Sequence, residues 1–260
     1  MIYISFLLHI YQPPVQSPGI TRKIAEESYI PLTKTLADGF NATININGSL
    51  IEQLYELGIV SPLYNLEIAL ENENIEITGT GMYHPIFPLV PEEVARRQIL
   101  LQKKCLEKYL GKKSTKCKGI FLPEMCYSPA LDQILLNEGY EWTVLSAIAN
   151  PSRKPLLSKV GKTPSGLGVI FRDDLLSNRL SFDKPTPEDI IRQIHMFLNN
   201  ENNSYILLAL DGETFGHHVK EYRDFLPKLH SLIAKEKDMQ LVRISELFKL
   251  FEYEIVAPVP

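Results

Sequence analysis

Glu124 follows the apolar run Ile120-Phe121-Leu122 and Pro123, and Asp211 follows Ile206-Leu207-Leu208-Ala209-Leu210. A carboxylate at the end of so apolar a stretch is costly unless it is paired, hydrogen-bonded or protonated. For either acid alone, a helix cap or a partner for a nearby arginine is an equally good reading. As a pair they suit a two-carboxylate reaction, in which one group attacks an anomeric carbon while the other shuttles the proton. Flanking both are side chains suited to polar ligands. These are His9 and Gln12, His84 in Gly79-Thr80-Gly81-Met82-Tyr83-His84-Pro85, Phe121, Arg172, and Glu213 and His217 just beyond Asp211. Glu213 reads equally as an orienting group, a ligand contact or a cap for the next helix. His195 and His230 fall within helical segments and read as packing or surface residues.

Each cluster stands at or near the end of a short apolar run rich in β-branched residues. Seven such runs are expected to be strands: residues 3–8, 42–46, 75–78, 119–122, 142–145, 168–171 and 204–210. Residues 240–244 would form an eighth strand or close a sheet edge. Several intervening segments carry helix starts and stops. Pro91-Glu92-Glu93 opens one that ends at Gly111, Ser128-Pro129 opens one that ends at Gly139, and Thr186-Pro187-Glu188-Asp189 opens a third. Proline and acids belong in a first helical turn, and glycine just past the last. The alternation predicts an α/β fold of parallel strands and crossover helices. In a barrel of that kind ligands gather at the carboxyl ends of the strands, which is where the polar clusters fall. With no internal repeat and no Gly/Ser linker, residues 1–256 read as one domain and 257–260 as a tail.

Composition narrows the function classes. The 260 residues carry 27 Lys+Arg against 31 Asp+Glu, a formal charge of -4, so nothing favours a nucleic-acid partner. Apolar runs such as 4–10 are strand-sized, far short of the roughly 20 residues a membrane span needs. The amino terminus lacks the basic region and small-residue site of a signal peptide. Three cysteines without a CxxC pair suit a reducing compartment, so a cytoplasmic location is expected.

The motifs resemble those of glycoside hydrolase family 57. His9-Ile10-Tyr11-Gln12-Pro13 is similar to its first motif, with Tyr11 where a second histidine is usual, and the Gly79 to Pro85 segment is similar to its Gly-Thr-x-x-Tyr-His-Pro. Ile120-Phe121-Leu122-Pro123-Glu124 resembles the nucleophile segment, with Phe121 where tryptophan is usual. Asp211-Gly212-Glu213-Thr214-Phe215-Gly216 resembles the acid/base segment, and Phe171-Arg172-Asp173 is also similar. The resemblance implies a distorted (β/α)7 barrel acting on α-linked glucans with retention of configuration. Glu124 would be the nucleophile and Asp211 the acid/base. His9, His84 and Glu213 would hold sugar hydroxyls, with Gln12, Phe121, Arg172 and His217 completing the substrate-binding set. No cofactor or metal is implied. Members generally continue into a helical domain that completes the cleft, so the resemblance leaves three expectations: a partner chain or oligomer that supplies the wall, a small substrate, or an inactive barrel whose acids are retained for binding. Two other readings stand beside this one: a catalytically inactive carbohydrate-binding or regulatory barrel, and a metal-dependent deacetylase on a similar barrel.

Overall fold

A computed structural model describes residues 1–198 and 203–260. Its strands are β1 (Ile2–Ile10), β2 (Ala42–Ile46), β3 (Ile75–Ile77), β4 (Gly119–Ile120), β5 (Trp142–Ser146), β6 (Val160–Lys162), β7 (Gly168–Arg172), β8 (Ser204–Asp211), β9 (Met239–Leu241) and β10 (Tyr253–Ile255). One sheet runs β3-β2-β1-β8, and a second runs β10-β6-β7-β5-β4. The two meet along two seams. At the first, Gly79 bridges β3 to β4, with Phe121 N donating to Gly79 O at 2.8 Å. At the second, Asp173 N donates to Leu207 O at 2.8 Å and Ala209 N donates to Ser177 Oγ at 3.1 Å. The seven expected parallel strands therefore run in chain order round a distorted barrel.

Registers fix which residues face inward. On β1 the odd positions share parity with odd positions of β8, through pairs such as Leu7 with Ala209 and His9 with Asp211. Because strand side chains alternate between faces, Leu7, Tyr205, Leu207 and Ala209 pack inside with Phe121, Trp142, Val144 and Ile170. The even positions, Ile4, Phe6 and Leu8, pack outward against the helical layer. His9, Arg172 and Asp211 each lie one pleat beyond an inward core residue, at the carboxyl rim. The opposite end is closed by the segment Ile244–Leu250, whose Ile244 N donates to Thr43 Oγ1 and Ser245 N to Glu76 Oε1, both at 2.9 Å.

Several details differ from the sequence expectation. β4 ends at Ile120, because the chain turns at Pro123, which has no N–H for a ladder. Residues 239–241 form a short strand on the lower half of β1, which β2 leaves unpaired, and β6 runs antiparallel to β7. The β6 and β10 runs are only three residues each and too brief to show a period. Near the end of the chain Val259 N donates to Ala149 O at 2.9 Å, so these residues lie against the turn after β5. Among the described residues no helix is long and apolar enough to cross a membrane.

Candidate active site

His9 enters the barrel mouth from the end of β1. Its Nδ1 lies 2.7 Å from Asn45 Oδ1, while Asn45 Nδ2 donates to Thr78 Oγ1 at 3.1 Å. Asn45 Oδ1 must therefore accept, which places the His9 proton on Nδ1 and leaves Nε2 as an acceptor. The ring stacks at 5.0 Å on Phe121 and lies 5.1 Å from His84, which itself stacks at 4.1 Å on Tyr11. Burial, and secondarily the neighbouring His84, pushes the His9 pKa down to about 4. Burial also lowers that of His84, against the raising effect of Glu124. Both rings are thus neutral near pH 7 and able to exchange hydrogen bonds with hydroxyls.

Glu124 sits on a tight turn after β4. Its φ is 57° and that of Met125 is 52°, two successive left-handed non-glycine residues, and His84 is left-handed too at 56°. Such backbone costs on the order of 1 kcal/mol per residue and persists where surrounding structure enforces it. Here Met125 N donates to Leu122 O at 2.7 Å and Cys126 N to Pro123 O at 3.1 Å. The turn holds the Glu124 side chain in the open, 68% exposed, with Oε1 3.2 Å from Nε2 of the nearly buried His84. A carboxylate only accepts, so His84 donates through Nε2.

The two acids at the end of β8 lie in different environments, and that of Asp211 differs from the desolvated one its apolar strand suggests. Asp211 is exposed, because the strand ends on it and its side chain opens into the mouth of the barrel. The desolvated acid is Glu213, 5% exposed. Its Oε1 accepts from Gln12 Nε2 at 3.0 Å and from the Tyr29 hydroxyl, and Gln12 Nε2 also reaches the Tyr29 oxygen at 2.9 Å. Burial raises the Glu213 pKa to about 7, opposed chiefly by the Tyr29 hydrogen bond.

Tyr29 comes from an unusual stretch of helix. Residues Ala25–Tyr29 form a π-helical turn between Pro18–Ile24 and Ile30–Ala37. Pro31 has no N–H to offer the carbonyl of Glu27, and the widened turn accommodates that loss. Gly216 packs beside the same carbonyl: at φ 116°, a Cβ added there would lie 2.1 Å from Glu27 O. Gly216→Ala should therefore lower stability by about 2–4 kcal/mol, combining left-handed strain with a backbone clash. Thermal unfolding checks this, and an unchanged Tm would contradict the packing.

These groups surround one cavity of about 420 Å³, lined by His9, Gln12, Phe121, Glu124, Arg172, Asp211 and Glu213. Three expectations are modified. His217 turns away, its Nδ1 lying 2.5 Å from Glu27 Oε2, and His218 lines the cavity in its place. The two histidines lie in a turn. Arg172 lines the wall with all three guanidinium nitrogens engaged, by Asp174 at 2.6 Å, Ala209 O at 3.2 Å and Asn178 at 2.5 Å, so it buttresses the β7–β8 seam. His84 reaches the site through Glu124. Tyr29 carries no signal in the sequence that would place it here, whereas Asn45 and His218 stand at the ends of expected strands without being among the candidate site residues.

Volume alone does not select this cavity. Another of about 440 Å³ lies at the opposite barrel end, beside Glu76, Cys117, Trp142 and Arg243. The convergent histidines and acids are at the first. Among the described residues, the trio of donors near enough to share a cation is His195, Glu236 and Asp238, on segments leading into β8 and β9 and away from the cavity.

The family model for glycosyl hydrolase family 57 matches residues 5–260. The chain belongs to this family. Among family 57 relatives, an α-amylase of Pyrococcus horikoshii is 24% identical over 259 residues, covering 95% of this chain and 40% of that protein. The crystal structure of 4-α-glucanotransferase from Thermococcus litoralis superposes with a TM-score of 0.84 at 20% identity, covering 99% of this chain and 42% of that one. A family 57 branching enzyme of Pyrococcus horikoshii superposes with a TM-score of 0.78 at 16% identity, covering 98% of this chain and 72% of that one. These likenesses establish the barrel as the family 57 fold. The chain spans 35–40% of the length of the curated relatives it matches.

Proposed function

We propose that the chain is a retaining glycoside hydrolase or transglycosylase acting on α-linked glucans. The observation that carries this reading is the meeting of Glu124, from the end of β4, and Asp211, from the end of β8, in one cavity lined by aromatic and imidazole rings. Family membership and relatives named as amylase, glucanotransferase and branching enzyme supply the substrate class.

In the proposed reaction, Glu124 attacks the anomeric carbon while Asp211 gives its proton to the departing glycosidic oxygen. A covalent glycosyl-enzyme results. Asp211, now a base, takes a proton from water or from an acceptor hydroxyl, whose oxygen attacks from the face the leaving group vacated and expels Glu124, so that two inversions give net retention. His84 donates to Glu124 Oε1, which leaves Oε2 free to attack. His9, with Nε2 unprotonated, accepts from a sugar hydroxyl, and the rings of Tyr11 and Phe121 offer faces for stacking.

Incubation with maltoheptaose, with products resolved by size and linkage, tests the reading. Shorter sugars alone indicate hydrolysis, a ladder in both directions indicates transfer, and new branch linkages indicate branching. Saturable binding without any product would favour the inactive carbohydrate-binding barrel and defeat the enzymatic reading.

A further inference from the structure

The Glu213 carboxyl is held by neutral donors alone. Both side-chain hydrogen bonds that reach it, from Gln12 Nε2 and from the Tyr29 hydroxyl, end on Oε1. Its other oxygen has no side-chain donor among the described residues, and the residue lines the cavity. The backbone is fixed as firmly as the side chain. Ser28 Oγ donates to Gly212 O at 2.9 Å, and the amides of His217 and His218 donate to Glu213 O at 3.1 and 2.8 Å. So much fixing of one acid beside the proposed acid/base residue exceeds what a helix cap needs.

We propose that Tyr29 is a positioning residue which, together with Gln12, keeps Glu213 ionised with one oxygen turned to a ligand hydroxyl, so that activity requires the charged form of Glu213. This rests on the reading that the cavity takes a sugar. A sugar hydroxyl donates well to a carboxylate, and a charge-assisted hydrogen bond is stronger than a neutral one. Burial works against the charge, while the Tyr29 hydroxyl, the backbone amide of Glu213 itself and Gln12 work for it, leaving Glu213 to ionise near pH 7. The titratable groups around it are few. Asp211 on its own strand end opposes ionisation, and the Tyr29 phenol, pushed well above its ordinary range, stays protonated. His218 and His9 share the cavity, as do Glu124 and Arg172 across it, while His217 is occupied by Glu27.

Tyr29→Phe removes one donor to the charged form and keeps the ring that fills the core. The acid limb of the kcat/KM profile should then move up by about one pH unit, with activity near that of the parent regained on the alkaline side. Below the limb this is about a tenfold loss. A variant with merely loosened packing would lose activity evenly across pH. Titration of the Glu213 carboxyl by 13C NMR, in parent and Tyr29→Phe, reads the same ionisation without any substrate. An unmoved limb together with an unmoved Glu213 titration overturns the proposal. Should Glu124→Gln retain full turnover, the catalytic assignment would fall by itself, and the NMR titration would still decide the role of Tyr29.

Discussion

Glu124→Gln is expected to abolish turnover on every glucan that the parent cleaves, a loss on the order of 10⁴-fold or more, while the fold stays intact. The substitution removes the negative charge and nucleophilicity but leaves an oxygen that still accepts the 3.2 Å hydrogen bond from His84. The side chain is 68% exposed, so no packing is lost. An unchanged Tm beside a lost rate would place the effect in the chemistry. Glu124→Ala sharpens the test, because azide added to the variant can enter the space left by the carboxylate. The expected product is a glycosyl azide with inverted configuration. Asp211→Asn should behave differently: a substrate with a good leaving group needs no proton, so its first step survives while natural glucans are turned over slowly. Full activity in Glu124→Gln, or an azide product of inverted configuration from the Asp211 variant in place of Glu124→Ala, would overturn this assignment of the two roles.

Much of this arrangement was legible in the sequence because the barrel obeys a period of two. His9, Arg172 and Asp211 follow buried runs, and the polar clusters fall at the carboxyl ends of the strands, where a parallel barrel gathers its ligands. What escaped was everything governed by turns and by contacts distant in sequence. Asp211 was expected to be desolvated because its strand is. The strand stops on it, however, and the burial passes two residues on to Glu213. His217 and His218 are equivalent by type. Their difference comes from Gly216 at φ 116° and from two amides converging on Glu213 O, which no periodicity reports. Tyr29 lies in a helix whose apolar neighbours mark it as core. Only the proline two residues later hints that the helix widens there, and nothing local says that its hydroxyl meets an acid 184 residues away.

Replacing Glu213 by Gln should lower the proposed activity and strengthen the protein, with a pH dependence that identifies the cause. Loss of a charge-assisted hydrogen bond to substrate predicts a drop of about ten- to hundredfold in kcat/KM. The stability effect follows from proton linkage. Glu213 ionises near pH 7 when folded, against an ordinary value of 4.5, so between these values the folded chain binds more protons than the unfolded chain. Stability contributed by this group is present below about pH 4.5 and is lost as pH rises through 7, by up to about 3 kcal/mol. His9 has the opposite sign. With its folded pKa near 4 instead of 6.5, the unfolded chain binds more protons over that range, and stability rises with pH. In the parent these two slopes nearly cancel between pH 4.5 and 6.5. In Glu213→Gln the His9 slope stands alone, so Tm should climb across that interval, and the variant should melt about 5–10 °C above the parent at pH 8 relative to their difference at pH 4.5. Calorimetry at the two pH values makes the comparison. An equal Tm difference at both would mean that Glu213 carries no buried charge, and the strain between binding a sugar and burying an acid would have to be sought elsewhere in the cavity.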